Sequence, residues 1–328
     1  MFKTEAIRLV EPGRVVLEER ELEIGPRDVL VETTGASICD ADLRAWRGQI
    51  MPEDLPSFEW IGHEGGGRVV KVGGAVTEFV VGDHVMCFGP NNSWARHFKA
   101  HEDRVIKTPA GLAEKHANLG EPTAVGLFAA AEAKVGLGDR VAVIGLNYQG
   151  LLAVQALKKS GASELVAIDY SDAHLQKAID LGADSAINTE SPESEIHLSQ
   201  LQCGHAGRFD VVFHSCGYWN PRAADYFNLA IAICKDEGHF VSVPDMMGPA
   251  SVDLHRFHHH AIQVTFPALM HHNPHFLKIW APLSLRPVET EQVLLDPLIT
   301  ETFALDEIDD AIRLFDRDPD QVKIALSV

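Results

Sequence analysis

The chain has 328 residues, of which 28 are Lys or Arg and 47 are Asp or Glu, giving a formal net charge of −19 at pH 7. At roughly 100 to 200 residues per domain this length allows two domains with sizeable cores, and the acidic balance argues against the basic surface that nucleic acids and anionic membranes need. With 46% hydrophobic and 23% charged residues the chain reads as a folded globular protein, and its expected partners are small molecules.

Met1 to Val10 carries Lys3, Glu5 and Arg8 where a secretory leader needs an unbroken apolar run. No stretch approaches the roughly 18 consecutive apolar residues of a membrane helix, so a cytoplasmic protein is expected. The cysteines, Cys39, Cys87, Cys203, Cys216 and Cys234, are odd in number, scattered and without a CxxC pair. That favours free thiols, with one available as a metal ligand.

Over the first 110 residues, short Val-bearing runs predict strands at Asp28 to Thr33, Gly67 to Val72, Val80 to Met86 and Ala95 to Ala100. The cluster Gly65, Gly66, Gly67, followed by Gly73 and Gly74, predicts bulges and tight turns in a curved, barrel-like sheet. From Pro122 the pattern changes: Ala124 to Val135 is alanine-rich with helical periodicity behind a first-turn proline.

Next come a strand at Arg140 to Gly145, a helix at Gln149 to Ser160 and a strand at Glu164 to Asp169, which together make one βαβ unit. The alternation continues with a helix at Asp172 to Leu181, strands at Ser185 to Asn188 and Phe209 to His214, a helix at Pro221 to Cys234, and strands at His239 to Val243 and Ala261 to Phe266. Such alternation predicts a parallel, doubly wound sheet. Beyond Pro267 a Pro- and His-containing stretch leads to a strand at Leu298 to Phe303, an amphipathic helix at Leu305 to Arg317 and a closing strand at Val322 to Val328. The expected organisation is therefore a β-rich domain over residues 1–121, a dinucleotide-binding domain over 122–267, and a return to the first domain over 268–328.

The turn after the first strand of the doubly wound sheet reads Gly145-Leu146-Asn147-Tyr148-Gln149-Gly150, a GxGxxG fingerprint with asparagine at its middle glycine. Gly145 would make the tight turn, position 147 the close approach to a pyrophosphate, and Gly150 the packing of helix on strand. Asparagine is the most tolerable replacement because it visits positive φ more readily than other residues. Asp169, at the end of the second strand, offers a carboxylate to ribose hydroxyls and repels a 2′-phosphate, so NAD is expected over NADP.

Two short segments carry candidate metal chemistry, Cys39-Asp40-Ala41-Asp42 and Gly62-His63-Glu64. By spacing alone they read first as a buried thiol and a hydrogen-bonded core histidine, with a metal site as the alternative, and Glu121 reads first as a favourable charge at the start of the Pro122 helix. The ordered set of pieces, however, resembles the zinc-dependent medium-chain dehydrogenases, especially the polyol and threonine dehydrogenase branch, over nearly the whole chain. The matching pieces are GASICDADL at Gly35 to Leu43, Gly62-His63-Glu64, Gly82-Asp83-His84-Val85, Gly120-Glu121-Pro122, the dinucleotide fold, and Asp306 to Phe315 ahead of a closing strand with Lys323.

That resemblance implies a barrel-like, GroES-like catalytic domain beside a Rossmann domain in an α/β protein. It implies one catalytic zinc on Cys39, His63 and Glu121 with a fourth position open, Asp42 orienting the histidine, Glu64 behind the metal, and Lys323 reaching the cofactor pyrophosphate. It also implies NAD-dependent oxidation of a polar secondary alcohol such as a polyol, sugar, cyclitol or amino alcohol, by a homodimer or homotetramer. Three departures stand out: only Cys87 falls between Val85 and Trp94, so no structural zinc lobe is expected; position 41 is alanine where relatives place a proton-accepting hydroxyl; and position 44 is arginine where a relay histidine often sits. Protons would then leave through ordered water assisted by Asp40 or Glu64.

The departures keep two further readings open, a zinc-free reductase of the same superfamily and a dinucleotide-binding protein without turnover. Trp46, Trp94 and Phe128 read equally as pocket wall and as core. The histidines at 255, 258, 259, 260, 271, 272 and 275 read as a solvated surface rather than a second metal site.

Overall fold

The computed structural model describes residues 1–49, 59–89, 92–109, 111, 112, 116–194, 198, 201, 208–217, 222–244, 251, 252, 254–269 and 272–328. Cys203, Pro221 and His271 lie outside the described residues. In chain order the strands and helices are β1 (Phe2–Glu11), β2 (Arg14–Leu22), β3 (Asp28–Ser37), α1 (Asp40–Trp46), β4 (Glu64–Val72), β5 (His84–Cys87), β6 (His97–His101), β7 (Val105–Lys107) and α2 (Gly120–Glu132). They continue as β8 (Arg140–Ile144), α3 (Tyr148–Lys159), β9 (Glu164–Asp169), α4 (Asp172–Asp180), β10 (Ser185–Asn188), β11 (Phe209–His214), α5 (Ala223–Ile233), β12 (Cys234–Ser242), α6 (Leu254–His259) and β13 (Gln263–Thr265). The last are α7 (Pro274–Glu289), β14 (Glu301–Ala304), α8 (Ile308–Arg317) and β15 (Ile324–Ser327).

These elements form two compact units, one of Met1–Ala124, Met270–Glu289 and Leu294–Val328, the other of Val125–Leu269 with Thr290–Val293. The first unit holds a seven-stranded sheet in the order β14-β15-β3-β4-β5-β7, with β6 also on β3, and a separate β1-β2 hairpin. Two pairings in this sheet build the site. β3 and β4 run antiparallel with Ser37 opposite Glu64, and β15 runs antiparallel to β3 with Ala325 opposite Ser37. The residues just beyond the end of β3, the residue just before β4 and the start of the closing strand are thereby brought to one point. The bulges expected from the glycine cluster occur as register shifts between β3 and β4 at Leu30/Val31 and Thr33/Gly35.

An apolar cluster including Ile38, Leu43, Trp46, Trp94, Ile308, Ile312 and Ile324 packs behind that point, so Trp46 and Trp94 are core residues. The strand expected over 80–86 begins only at His84. Asp83 Oδ2 accepts from Val80 N at 3.0 Å and turns the backbone there, which leaves Val80 and Val81 exposed.

In the second unit six parallel strands take the order β10-β9-β8-β11-β12-β13. Reading them as first to sixth, this is 3-2-1-4-5-6, the doubly wound order in which ligands bind at the carboxyl ends where the winding reverses. Ile144, Asp169, His214 and Ser242 close their strands at that edge. Among the described residues no helix is long and apolar enough to cross a membrane.

Candidate active site

Cys39 follows the end of β3 and caps α1, its backbone N–H donating to Asp42 Oδ2 at 3.1 Å while its carbonyl accepts from Asp42 N at 3.0 Å. This reciprocal pair fixes the turn that presents the thiol. The other oxygen of Asp42 lies 3.1 Å from His63 Nδ1, so one buried carboxylate orients both the cysteine and the histidine. Holding Nδ1–H in this way aims the second ring nitrogen toward Cys39. Gly62, immediately before, has φ +97 and a Cβ position 2.7 Å from Trp94 N, so only glycine makes the bend that delivers His63.

Among the described residues, one group of ligand-type side chains converges: donor atoms of Cys39, His63 and Glu64 all lie within 4.8 Å of one another. Glu121, the third ligand implied by the resemblance, is not in that group. It sits in the first turn of α2, buried at 5% exposure, and Glu64 takes the converging place because β4 begins directly after His63.

Glu64 is itself held on its far side. Lys323 Nζ approaches its two oxygens at 2.8 and 3.0 Å, with exposures of 3% for Lys323 and 1% for Glu64, and also donates to the Ile38 carbonyl at 3.2 Å. The Ser37 hydroxyl donates to Glu64 Oε2 at 2.5 Å and lies 3.0 Å from the Asn118 carbonyl. The structure thus directs the Lys323 ammonium at Glu64, where the sequence expectation had it reaching a pyrophosphate. Sequence reasoning passed over Ser37 altogether; the cross-strand pair that finds it exists only once the β3–β4 register is known.

The electrostatics follow from burying these charges together. Burial, reinforced by Glu64, pushes the Cys39 thiol up to about 11. Burial tends to raise Glu64 too, but Lys323, His63 and the Ser37 hydroxyl outweigh it and hold that carboxyl below its ordinary value. His63 stands well above its ordinary value although burial opposes it, because Asp42 and Cys39 favour the imidazolium. Glu121 is pushed up to about 8 by burial and by the charge of Glu64, and Asp40, first residue of α1, to about 7, chiefly by burial. A thiol of this pKa becomes a thiolate at neutral pH only beside a strong cation. Thiolate, imidazole and carboxylate together suit zinc and leave a fourth tetrahedral position, so the donor set fits the expected metal.

In the second unit, Gly145 has φ +83 and a Cβ position 2.6 Å from Cys216 N, while a Cβ on Gly150 would stand 2.0 Å from the Gly145 carbonyl oxygen. Both glycines are therefore required by the tight turn and the close packing. Asn147 is there for a different reason from the one expected. Its φ is −65, and its Oδ1 accepts from Gly150 N at 3.1 Å as the N-cap of α3. The Ser215 hydroxyl donates to the same oxygen. Asp169 is 4% exposed, and its carboxylate accepts from Leu146 N at 2.7 Å, Tyr170 N at 2.7 Å and Ser171 N at 2.9 Å. It ties the glycine turn to the end of β9, and three acceptor bonds leave about one lone-pair direction for a ribose hydroxyl.

Residues 25–131 match the alcohol dehydrogenase GroES-like domain family, and residues 150–277 match the zinc-binding dehydrogenase family. The chain is 26% identical over 326 residues to sorbitol dehydrogenase of Rattus norvegicus, covering 90% of this chain and 88% of that protein. It is 29% identical over 263 residues to D-xylulose reductase of Scheffersomyces stipitis, covering 69% and 70%. Among solved structures the fold is similar to benzyl alcohol dehydrogenase from Acinetobacter calcoaceticus (TM-score 0.86, 18% identity, 100% of both chains). It is also similar to 2R,3R-butanediol dehydrogenase from Bacillus subtilis (TM-score 0.80, 23% identity, 99% of both chains).

Proposed function

The chain belongs to the zinc-dependent, alcohol dehydrogenase-like medium-chain superfamily, and from that premise we propose that it is an oxidoreductase passing hydride between a polar secondary alcohol and NAD. The observation that carries this reading is the convergence of Cys39, His63 and Glu64, with Asp42 bonded to the first two. Cys39, His63 and Glu64 are the residues that would hold zinc, in place of the set with Glu121. Gly145, Asn147, Gly150 and Asp169 would receive the cofactor. When bound, zinc supplies Lewis acidity toward an alcohol oxygen and NAD supplies the hydride acceptor.

The protein's own residues do the rest. Cys39 and Glu64 offer two negative charges to a dication, and Lys323 holds Glu64 ionised from behind. Asp42 keeps His63 in one tautomer. Glu121, protonated at neutral pH when no cation is near, offers an O–H to a polar substrate and a carboxylate after losing its proton. Asp40, at about 7, is poised to accept the proton that Ala41 cannot take. The carboxylate of Asp169 favours NAD over NADP by repulsion of a 2′-phosphate. The relatives' printed names, sorbitol dehydrogenase, D-xylulose reductase and (R,R)-butanediol dehydrogenase, support the polar-alcohol class. A cytoplasmic homodimer or homotetramer is part of the same proposal.

The test is metal analysis of the purified protein joined to an alcohol panel followed by NADH absorbance. Zinc with turnover is expected. Turnover without zinc supports the metal-free reductase, and NAD binding with neither zinc nor turnover supports a non-catalytic role. If Asp40→Asn leaves the pH profile of turnover unchanged, the proton role of Asp40 is wrong.

A further inference from the structure

The histidines gathered around the end of α6 have no part in the site above. His255 and His259 are four residues apart on that helix, which sets both side chains on one face. Their ring centroids are 4.1 Å apart with planes tilted by 31°. His260, the next residue, has its centroid 6.5 Å from that of His255, and its Nδ1 lies 2.8 Å from Asp236 Oδ1 on β12. Glu237 N donates to the His260 carbonyl at 2.7 Å and fixes that residue against the strand. His255 and His259 are exposed and His260 is half-buried.

A carboxylate bonded to Nδ1–H of a histidine turns the Nε2 lone pair outward and makes it more basic, the arrangement found behind metal-binding imidazoles. Two imidazoles on one tetrahedral ion, with metal–nitrogen bonds of about 2.0 Å, have ring centroids roughly 5 Å apart. The separations of 4.1 and 6.5 Å bracket that value. The donor atoms do not converge as they stand, so closing the set around an ion requires the exposed His255 and His259 side chains to rotate toward His260, which Asp236 holds. The carboxyl end of α6 favours a cation, while Asp236 shares its Oδ1 between His260 and Arg208 Nη1 at 3.4 Å. Nitrogen donors select borderline transition ions over magnesium or calcium.

We propose that His255, His259 and His260, backed by Asp236, form a second metal site for a divalent transition cation on the surface of the dinucleotide-binding unit. This revises the expectation of a single ion per chain and of a merely solvated histidine run, and it stands whether or not the active-site reading holds.

The experiment uses the full chain with its catalytic site already loaded with zinc, titrated with Ni2+ by calorimetry and with Cu2+ by electron paramagnetic resonance. The expected result is one further Ni2+ per chain and a Cu2+ signal with nitrogen hyperfine structure. Binding should weaken at least about tenfold in His255→Asn and in His259→Asn, and by a smaller factor in Asp236→Asn. His258→Asn should bind like wild type although its ring centroid lies 4.9 Å from that of His259, because Asp236 backs His260 rather than His258. Alcohol turnover and thermal melting should be unchanged in all four variants. Absence of a further Ni2+ equivalent overturns the proposal, as does equal binding by the His255 and His259 variants. Loss of the extra ion on Cys39→Ala with retention in His255→Asn places it in the other site and overturns it too.

Discussion

His214 closes β11 with an imidazole that is 0% exposed. The rings of Phe227 and Phe240 pack against it; its Nδ1 is 3.0 Å from Ser242 Oγ, and its Nε2 is buried without a hydrogen-bond partner. Burial pushes it from 6.5 down to about 3. It therefore stays neutral in the folded protein, whereas the unfolded chain takes up a proton as pH falls through about 6.5. The unfolded state then binds more protons, so stability is intact above 6.5 and is lost progressively below it. From 6.5 and about 3, the loss is negligible at pH 8, about 2 kcal/mol at pH 5, and approaches about 5 kcal/mol below pH 3. The perturbation is His214→Leu. It removes the titrating group and strands the Ser242 hydroxyl, at a cost of about 1–3 kcal/mol that does not depend on pH. Relative to wild type, the variant should therefore gain about 2 kcal/mol between pH 8 and pH 5. Urea unfolding of both proteins at the two pH values reads this as a change of about 1 M in the gap between midpoints. An equal gap at pH 8 and pH 5 would show that the imidazole does not titrate as its burial demands.

The ion pair of Lys323 with Glu64 gives a second outcome: Lys323→Met should destabilise the first unit by about 3–5 kcal/mol by leaving a buried carboxylate unpaired. Glu64→Gln in the same chain should restore most of that loss in a urea titration. Asp42→Asn should lower zinc affinity about 10- to 100-fold in a chelator competition, since the residue orients His63 without being a member of the converging set. Gly150→Ala should destabilise the second unit by about 1–3 kcal/mol, as its Cβ would press on the Gly145 carbonyl, and calorimetry should show weaker ADP-ribose binding. Cofactor titration should favour NAD over NADP.

The doubly wound sheet was legible because β8, β9 and β11 are short, mostly buried apolar runs set among segments of helical periodicity. Glu164–Asp169, Ser185–Asn188 and Phe209–His214 stand at their expected bounds. What escaped was structure whose pattern depends on partners distant in sequence. The β1-β2 hairpin pairs strands in which charged residues interrupt the apolar ones, so alternation alone is weak. Helix α7 contains Pro282 and Pro287 and yet continues through them. Its buried face, Leu277, Ala281, Ser284 and Leu285, shows that tertiary packing overrides the local penalty. Val80 and Val81 read as strand by propensity, yet the Asp83 carboxylate captures the Val80 amide and makes a turn.

The carboxylates of the site illustrate why residue types were easier to find than their roles. Cys39, His63, Glu64 and Glu121 were all identifiable, but a sequence does not state which carboxylate meets the thiol and imidazole. That depends on the antiparallel register of β3 with β4, which sets Ser37 across from Glu64, and of β15 with β3, which carries Lys323 to the same place. Shifting the pairing by one residue would turn Glu64 to the opposite face and leave Lys323 buried alone. The register is held on one side by the apolar cluster of Ile38, Ile324 and Leu326. The buried ion pair in turn penalises any slippage, since either partner without the other costs several kcal/mol. Lys323 therefore selects the register that puts Glu64 beside Cys39 and His63, and the local fold and the candidate metal set are specified by the same contact.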